Sequence, residues 1–273
     1  MNLNLSQIIL LGLVQALTEW LPLSSKTIST LVYMEFFGYD SSTVISALLF
    51  LHFGTLLAAT VYFRTHIRHL LKAFISNPFS LKANSESKIG FLFSSLVMTG
   101  LVGIPLLLAQ KLALPLLDGN SIYILMGAGL IVTGFLLSSK KAMADRSAEN
   151  ATWKDGILVG ALQGLSVLPG VSRAGATTAA LVWRRFNPES AFQLSFLLSI
   201  PTIFAAEILF WGFQNGNFAS LPIHDGVLLA ASSFFFGYLT IDMLIKIAQK
   251  LNLAWLAFSF GIMMLLFGLW GLS

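Results

Sequence analysis

The sequence contains no cysteine, so the protein can form neither disulfide bonds nor thiolate metal sites. Charge is also scarce, because only 10% of the 273 residues are Asp, Glu, Lys or Arg, whereas a soluble domain carries roughly 25%. Hydrophobic residues make up 56%. Such a chain cannot cover its own surface in water, and it is too apolar to remain disordered. These shortages predict an integral membrane protein.

The excess of basic residues is small, 16 Lys and Arg against 12 Asp and Glu. A net charge of +4 without a stripe of basic and aromatic residues gives no indication of a nucleic-acid partner. The expected environment is therefore the lipid bilayer. The composition leaves a homo-oligomer open.

Six apolar stretches are long enough to cross a bilayer as helices, for which about 20 residues are needed. No Lys or Arg falls inside them, and the alternating pattern of a membrane barrel is absent. The fold class is therefore all-α. The predicted spans are residues 44–63, 89–109, 121–138, 191–212, 226–245 and 253–272.

Two further apolar stretches, 3–35 and 157–182, are interrupted in the middle by proline, serine and a basic residue, as LPLSSK at 21–26 and LPGVSR at 168–173. Proline does not continue a helix, and a charge at bilayer depth is costly. Broken backbone is tolerated there only where it packs inside protein or lines a wet cavity. The two interpretations are kinked full spans and re-entrant hairpins.

The distribution of basic residues favours re-entrant hairpins, because cytoplasmic loops are rich in Lys and Arg. Thirteen of the 16 fall on one side if each span crosses once and 157–182 enters and leaves from the cytoplasm. We therefore expect a multi-pass protein of the plasma membrane whose first hairpin opens to the outside. The thirteen are Arg64, Arg68, Lys72, Lys82, Lys88, Lys140, Lys141, Arg146, Lys154, Arg184, Arg185, Lys246 and Lys250; Lys111 is expected in an external loop, and Lys26 and Arg173 lie in the hairpins.

The two hairpins also resemble each other in sequence. GLVQALTEWLPLSS at 12–25 aligns with GALQGLSVLPGVS at 160–172. Each hairpin is followed by three spans, an odd number, so the two halves insert with opposite orientation. We predict inverted repeats at 1–138 and 157–273, joined by a cytoplasmic linker at 139–156. The alternative is chance similarity between apolar segments.

The hairpin tips carry the residues that could do chemistry. Arg173 and Lys26 have cationic side chains that donate hydrogen bonds and accept none, which indicates an anion site, most simply for phosphate. Glu19 shares a helical face with Gln15 and suits a general base or a ligand of a divalent cation. Ser25 is a candidate nucleophile. The candidate site residues are Gln15, Glu19, Ser24, Ser25, Lys26, Thr27, Ser172, Arg173, Thr177 and Thr178.

Structural roles compete with these chemical ones. Ser24 and Ser25 stand where a helix begins after Pro22, and residue type alone favours helix capping for both serines. For Arg173 the structural alternative is an ion pair with Glu19.

At these motifs the chain resembles the undecaprenyl pyrophosphate phosphatases of the bacitracin-resistance family. The family pattern (E/Q)xxxE followed by LPxSS is similar to residues 15–25, and PGxSRSxxT is similar to residues 169–177. The resemblance covers essentially the whole chain. It implies two inverted repeats and removal of the terminal phosphate from a polyprenyl diphosphate, assisted by Mg²⁺ or Ca²⁺. The implied roles are acid–base chemistry or metal binding for Glu19 with Gln15, nucleophilic attack for Ser25, and phosphate binding for Arg173, Ser172 and Thr177.

The chain departs from the family pattern in ways that leave a second function open. Ile28 stands where the first motif has histidine, Lys26 replaces a small polar residue, and Ala174 replaces a serine. A polar packing role is the favoured interpretation of His52, inside the span 44–63, and facing the site is the alternative. A chain with altered chemistry would bind or flip a polyprenyl phosphate lipid instead of cleaving it.

Overall fold

The structure is a computed structural model, and the residues it describes are 3–39, 41–76, 88–138, 145–213, 221–248, 250 and 252–271. These residues form helices and short connections, with no β-strand among them. The predicted all-α fold is thereby confirmed. The helices are α1 (Leu5–Trp20), α2 (Ser25–Leu31), α3 (Ser41–Tyr62), α4 (Arg64–Ser76), α5 (Lys88–Ala113), α6 (Gly119–Leu137), α7 (Trp153–Gly164), α8 (Arg173–Trp183), α9 (Pro188–Phe213), α10 (Ile223–Ala248) and α11 (Leu253–Trp270).

Six of these helices, α3, α5, α6, α9, α10 and α11, are long and apolar enough to cross a membrane. They coincide with the six predicted spans, and their ends differ from the prediction by at most four residues. The largest difference is at the end of α5, which continues to Ala113. Lys111 therefore lies in the last helical turn and not in a loop, a position where a cation complements the helix dipole.

The two interrupted stretches each form a pair of short helices around a break. In both, the residue before the proline is extended: Leu21 before Pro22 has ψ 156°, and Leu168 before Pro169 has ψ 139°. Proline disfavours the helical region for its predecessor. Helix α1 therefore ends at Trp20, and the 3-10 turn Leu165–Val167 that follows α7 ends before Leu168. The arms α1 and α8 contain 16 and 11 residues, fewer than the about 20 that a span needs.

Each hairpin's first arm packs against a spanning helix of the other half of the chain. Helix α1 lies along α10, and α7 lies along α5, while α6 pairs with α11. Glycines permit the close approach, because a Cβ at Gly12 would clash with Ser232 and a Cβ at Gly160 would clash with the carbonyl oxygen of Ser95. Small residues of this kind let membrane helices pack backbone to backbone.

A short polar cluster fixes the start of the second hairpin. Asp155 is fully buried and accepts hydrogen bonds from Arg146 at 2.7 Å, from Arg184 at 2.7 Å and from Thr152 at 2.8 Å. Burial alone raises the pKa of a carboxyl, but the bonds from Arg146, Arg184 and Thr152 outweigh it and lower the pKa of Asp155 to about 2. The cluster therefore ties the segment before α7 to the end of α8.

Helix α4 follows α3 directly, in a region where the sequence predicts only a basic loop. Arg64, Arg68 and Lys72 recur every four residues on one face, and Ile67 and Leu70 lie on another. This amphipathic pattern is typical of a helix at the membrane surface. Three of the basic residues that predict the orientation, Lys82, Lys140 and Lys141, and residues 139–144 of the linker lie outside the described residues.

The tight α5–α7 contact is testable by adding one methyl group. Gly160→Ala places a Cβ against Ser95, whereas Gly100→Ala on α5 places a Cβ 3.9 Å from Ile104 Cδ1. We expect Gly160→Ala to lose about 1–3 kcal/mol of stability. Gly100→Ala should retain or gain stability, because alanine favours a helix over glycine by about 1 kcal/mol. Thermal unfolding in one detergent compares the two, and equal melting temperatures would contradict the packing.

Candidate active site

The breaks in the two hairpins meet at an ion pair. Glu19 stands near the end of α1, and Arg173 is the first residue of α8. Arg173 Nη2 lies 2.6 Å from Glu19 Oε1, and the two side chains are 12% and 4% exposed. The ion pair considered from sequence is therefore present, and it joins the tips of the two hairpins.

Glu19 is also the centre of a hydrogen-bond network on the first hairpin. Ser25 Oγ donates to Glu19 Oε2 at 2.6 Å, and Gln15 Nε2 donates to the same oxygen at 3.1 Å. Ser29 Oγ in turn donates to Gln15 Oε1 at 3.0 Å. The spacing of four residues between Gln15 and Glu19 thus produces the shared face predicted for them.

His52 belongs to this cluster, and the favoured interpretation of it as a packing residue is wrong. Its Nε2 lies 3.4 Å from Glu19 Oε2 and 3.5 Å from Ser25 Oγ. Its Nδ1 lies 2.7 Å from the carbonyl oxygen of Leu48. The signal that sequence reasoning undervalued is an ionisable side chain inside a span, which by default marks a functional site.

Neither serine at the start of α2 acts as the cap that residue type favours. Ser24 makes no capping bond, and its hydroxyl instead pairs with Thr27 Oγ1 at 3.0 Å. The hydroxyl of Ser25 donates its hydrogen bond to Glu19. Ser24 has φ 54° and ψ 83°, a left-handed conformation unusual for a residue with a side chain. Strain of this kind is concentrated at functional sites. It turns the chain so that Ser25 opens helix α2 beside Glu19.

The hydroxyls of the second hairpin mainly hold α8 in position. Ser172 caps the helix by accepting from Gly175 N at 3.2 Å, and its own N–H donates to Thr133 Oγ1 at 3.0 Å. Thr177 Oγ1 pairs with Ser195 Oγ at 2.6 Å. Thr178 is buried with no hydrogen-bond partner in the described part of the chain, and it is about 140° around the helix from Arg173. The structure does not connect Thr178 to the cluster.

The two cationic side chains of the site, Arg173 and Lys26, differ in their hydrogen bonding. Arg173 Nη1 is buried and has no hydrogen-bond partner among the residues described. Lys26 is exposed, and its Nζ donates to the carbonyl oxygen of Ser166 at 3.1 Å. An unpartnered guanidinium N–H beside a buried hydroxyl is suited to bind an anionic oxygen. Both positive charges interact electrostatically with the Glu19 carboxylate.

The donor set does not form a cation site made of protein ligands alone. No group of three or more His, Cys, Asp or Glu that could hold a metal ion occurs in the described ranges. Glu19 Oε1 accepts from Arg173, and Glu19 Oε2 accepts from Ser25 and Gln15. Its carboxylate is therefore engaged by the protein itself.

Taken together, these groups are a hydroxyl, two adjacent proton acceptors and a guanidinium with a free donor. A hydroxyl next to a base is the pattern of an activated nucleophile. A guanidinium N–H stabilises negative charge that develops on oxygen during acyl or phosphoryl transfer. The site therefore has the parts needed for phosphoryl transfer from an anionic substrate.

Comparisons with known proteins agree with this chemistry. The sequence model of the family described as Bacitracin resistance protein BacA matches residues 8–270. Relatives named undecaprenyl-diphosphatase occur in three organisms. The one from Methanococcoides burtonii is 39% identical over 97% of this chain and 98% of the relative. Those from Haloarcula marismortui and Methanothrix thermoacetophila are 36% identical over 89% of both chains and 32% identical over 95% of both chains. The chain belongs to the bacitracin resistance protein BacA family.

Proposed function

We propose that the protein hydrolyses the terminal phosphate of undecaprenyl diphosphate, or of a related polyprenyl diphosphate, and so returns the monophosphate carrier lipid to envelope glycan synthesis. The observation that carries the proposal is Ser25 Oγ, held 2.6 Å from Glu19 beside Arg173 in the break between membrane helices. The name undecaprenyl-diphosphatase of the relatives supports the same reaction.

In this proposal Ser25 attacks the terminal phosphorus and Arg173 binds the phosphate oxygens. Glu19 and Gln15 orient Ser25 and Arg173 through the bonds described above. Lys26 lies at the exposed side of the site and adds positive charge for the entering diphosphate. Ser172 and Thr177 act through the backbone and packing of α8, and contacts from Ser24, Thr27 and Thr178 to phosphate remain predictions.

An apolar groove between helices is suited to the prenyl chain. It has a volume of about 400 Å³ and is lined by α3, α4, α5 and α9. Phe53, the residue after His52, lines one part of it, and Leu197 packs against Trp20, the residue after Glu19. Thr60 is the one lining residue with a polar side chain. An apolar groove on α3, the helix that also carries His52, supports a substrate that is a phosphate headgroup on a hydrocarbon tail.

A divalent cation, Mg²⁺ or Ca²⁺, is proposed only as a companion of the substrate. Since Glu19 is the sole carboxylate in the hydrogen-bond network described above and is engaged by Arg173 and Ser25, the oxygens of the diphosphate would supply the ligands. A cation bound there would neutralise negative charge on the diphosphate.

Two features support the proposed inverted repeats. The first arm of each hairpin packs on a spanning helix of the other half, since α1 packs on α10 and α7 packs on α5. The contacts also involve matching residues, because Gly12 and Gly160 are aligned in the repeat and each approaches a serine of a Ser-Ser pair, Ser232 or Ser95. With the basic loops cytoplasmic, the first hairpin and its site open to the outside of the plasma membrane.

The alternative of a protein that binds or flips a polyprenyl phosphate is favoured in the sequence by Ile28 at the histidine position of the first motif, and the inverted-repeat plan with a phosphate site is shared with carriers. His52 lies beside Ser25 from another helix, which supports hydrolysis over this alternative in spite of Ile28.

The proposed reaction is tested by phosphate release from undecaprenyl diphosphate with purified protein. We expect wild-type activity, and a loss of about 10²–10³-fold in kcat for Arg173→Lys, because the donors of an ammonium diverge from one nitrogen and cannot reproduce the planar fork with which a guanidinium binds Glu19 and a phosphate oxygen together. Arg68→Lys, on the exposed face of α4, is the matched control and should keep wild-type activity. No release by the wild type, together with lipid binding that Arg173→Ala abolishes, would contradict hydrolysis and favour the binding function.

The proposed orientation is tested by cysteine labelling in intact cells, which has no background because the chain lacks cysteine. Ser147 and Leu116 are both exposed, on opposite sides of the proposed topology. A membrane-impermeant maleimide should label Leu116→Cys and should label Ser147→Cys only after the cells are opened. Labelling of Ser147→Cys in intact cells would overturn the orientation.

A further inference from the structure

We infer that His52 is the general base and general acid of the reaction: it takes the proton of Ser25 during attack and returns it afterwards. This role rests on the phosphatase activity proposed above. Ile28, at the position where the first sequence motif would place a histidine, has an aliphatic side chain and cannot move a proton. His52 reaches the same hydroxyl from helix α3.

The contacts of His52 determine which ring nitrogen is free. Nδ1 lies 2.7 Å from the carbonyl oxygen of Leu48, one helical turn earlier. A carbonyl oxygen only accepts hydrogen bonds, so Nδ1 carries the proton in the neutral ring and Nε2 carries the lone pair. That lone pair faces Ser25 Oγ at 3.5 Å. The backbone of α3 therefore holds the imidazole in the tautomer that a base requires.

The hydroxyl of Ser25 can serve both acceptors by rotation about its Cβ–Oγ bond. In the structure it donates to Glu19 Oε2 at 2.6 Å, and His52 Nε2 lies 3.5 Å from the same oxygen atom of Ser25. Hydroxyl protons rotate freely, and a catalytic hydrogen bond is often long until substrate binds. Movement of Ser25 Oγ toward a bound phosphorus is compatible with proton transfer to Nε2.

Glu19 is better placed to support this transfer than to perform it. Its two oxygens already accept from Arg173, Gln15 and Ser25. Once His52 is protonated, its Nε2–H faces Glu19 Oε2 at 3.4 Å, so the carboxylate stabilises the imidazolium. Lys26 and Arg173 are the positive groups that face His52, and Glu19 is the negative group that offsets them.

The reaction then proceeds in two steps. As the bond from Ser25 Oγ to the terminal phosphorus forms, the hydroxyl proton moves to His52 Nε2. The bond from that phosphorus to the bridging oxygen breaks, and its electron pair leaves with the polyprenyl monophosphate. Water next attacks the phosphoserine, the Oγ–P bond breaks, and His52 returns the proton to Oγ. The released inorganic phosphate carries the oxygen and protons of the water.

The other three histidines have different surroundings. His66 on α4 pairs with Gln193 at 3.1 Å, His69 on the same helix is exposed, and His224 contacts Asp225 at 2.8 Å. None of these contacts involves Ser25. His69→Gln therefore provides a matched control for the same chemical change outside the site.

The test compares wild type, His52→Gln, His52→Asn and His69→Gln in two assays. The first is phosphate release from undecaprenyl diphosphate. The second is the rate at which a fluorophosphonate labels Ser25 in the absence of substrate, read by mass spectrometry and calibrated with Ser25→Ala. We expect both His52 variants to lose about 10²–10⁴-fold in kcat and in labelling rate, with KM within twofold. His69→Gln should match wild type in both assays.

The two assays separate the two claims. If wild type releases no phosphate but labels at Ser25 far faster than either His52 variant, the phosphatase proposal fails and the role of His52 stands. If phosphate release or Ser25 labelling in a folded His52 variant stays within threefold of wild type, or if Ser25 is not labelled in wild type, the role of His52 is overturned. Melting temperatures within a few degrees of wild type show that a variant is folded.

Discussion

The two membrane-embedded hairpins of this protein meet at one buried ion pair, Arg173 with Glu19 at 2.6 Å. Each partner lies at a break in a membrane-embedded hairpin. The backbone N–H and C=O groups there cannot all pair with each other as they do in a continuous helix. A single charge at that depth is costly, whereas a pair that is also hydrogen-bonded is tolerated. The requirement to pair these charges brings the two hairpin tips together. It also creates the one place in the described part of the chain where Ser25, His52 and a buried guanidinium N–H meet.

The rest of the structure positions this pair rigidly. The glycines of α1 and α7 seat the first arms on α10 and α5, and Asp155 ties the start of α7 to the end of α8. Ser172 caps α8 and bonds to Thr133 on α6, which fixes the residue next to Arg173. Reactive groups held by packed helices in this way need little reorganisation when substrate binds. Phe53, which follows His52 on α3, lines the apolar groove that we propose for the lipid tail.

Much of this arrangement was predictable from sequence, and the exceptions have physical reasons. Span positions follow from apolar length, and both breaks follow from Pro22 and Pro169 with their neighbouring charges. An ion pair between Arg173 and Glu19 is one of the two interpretations that the sequence supports for Arg173. The sequence does not place His52 in the site, because the face of α3 that meets the site depends on tertiary packing and an almost uniformly apolar helix carries no periodic signal for it. Capping by Ser24 and Ser25 is wrong because Thr27 pairs with the hydroxyl of Ser24 and Glu19 accepts from that of Ser25. Helix α4 is not predicted because a basic stretch is compatible with a loop and with a surface helix.

The most direct measurement is a double-mutant cycle on the ion pair, with Glu19→Gln, Arg173→Met and the double variant compared by thermal unfolding in one detergent. Each single variant leaves a buried charge without its partner, and the double variant removes both charges. We predict that the double variant is more stable than the sum of the single losses implies, with a coupling of about 1–3 kcal/mol. Single losses that add to within about 0.5 kcal/mol would contradict the account, because the two hairpin tips would then not depend on each other.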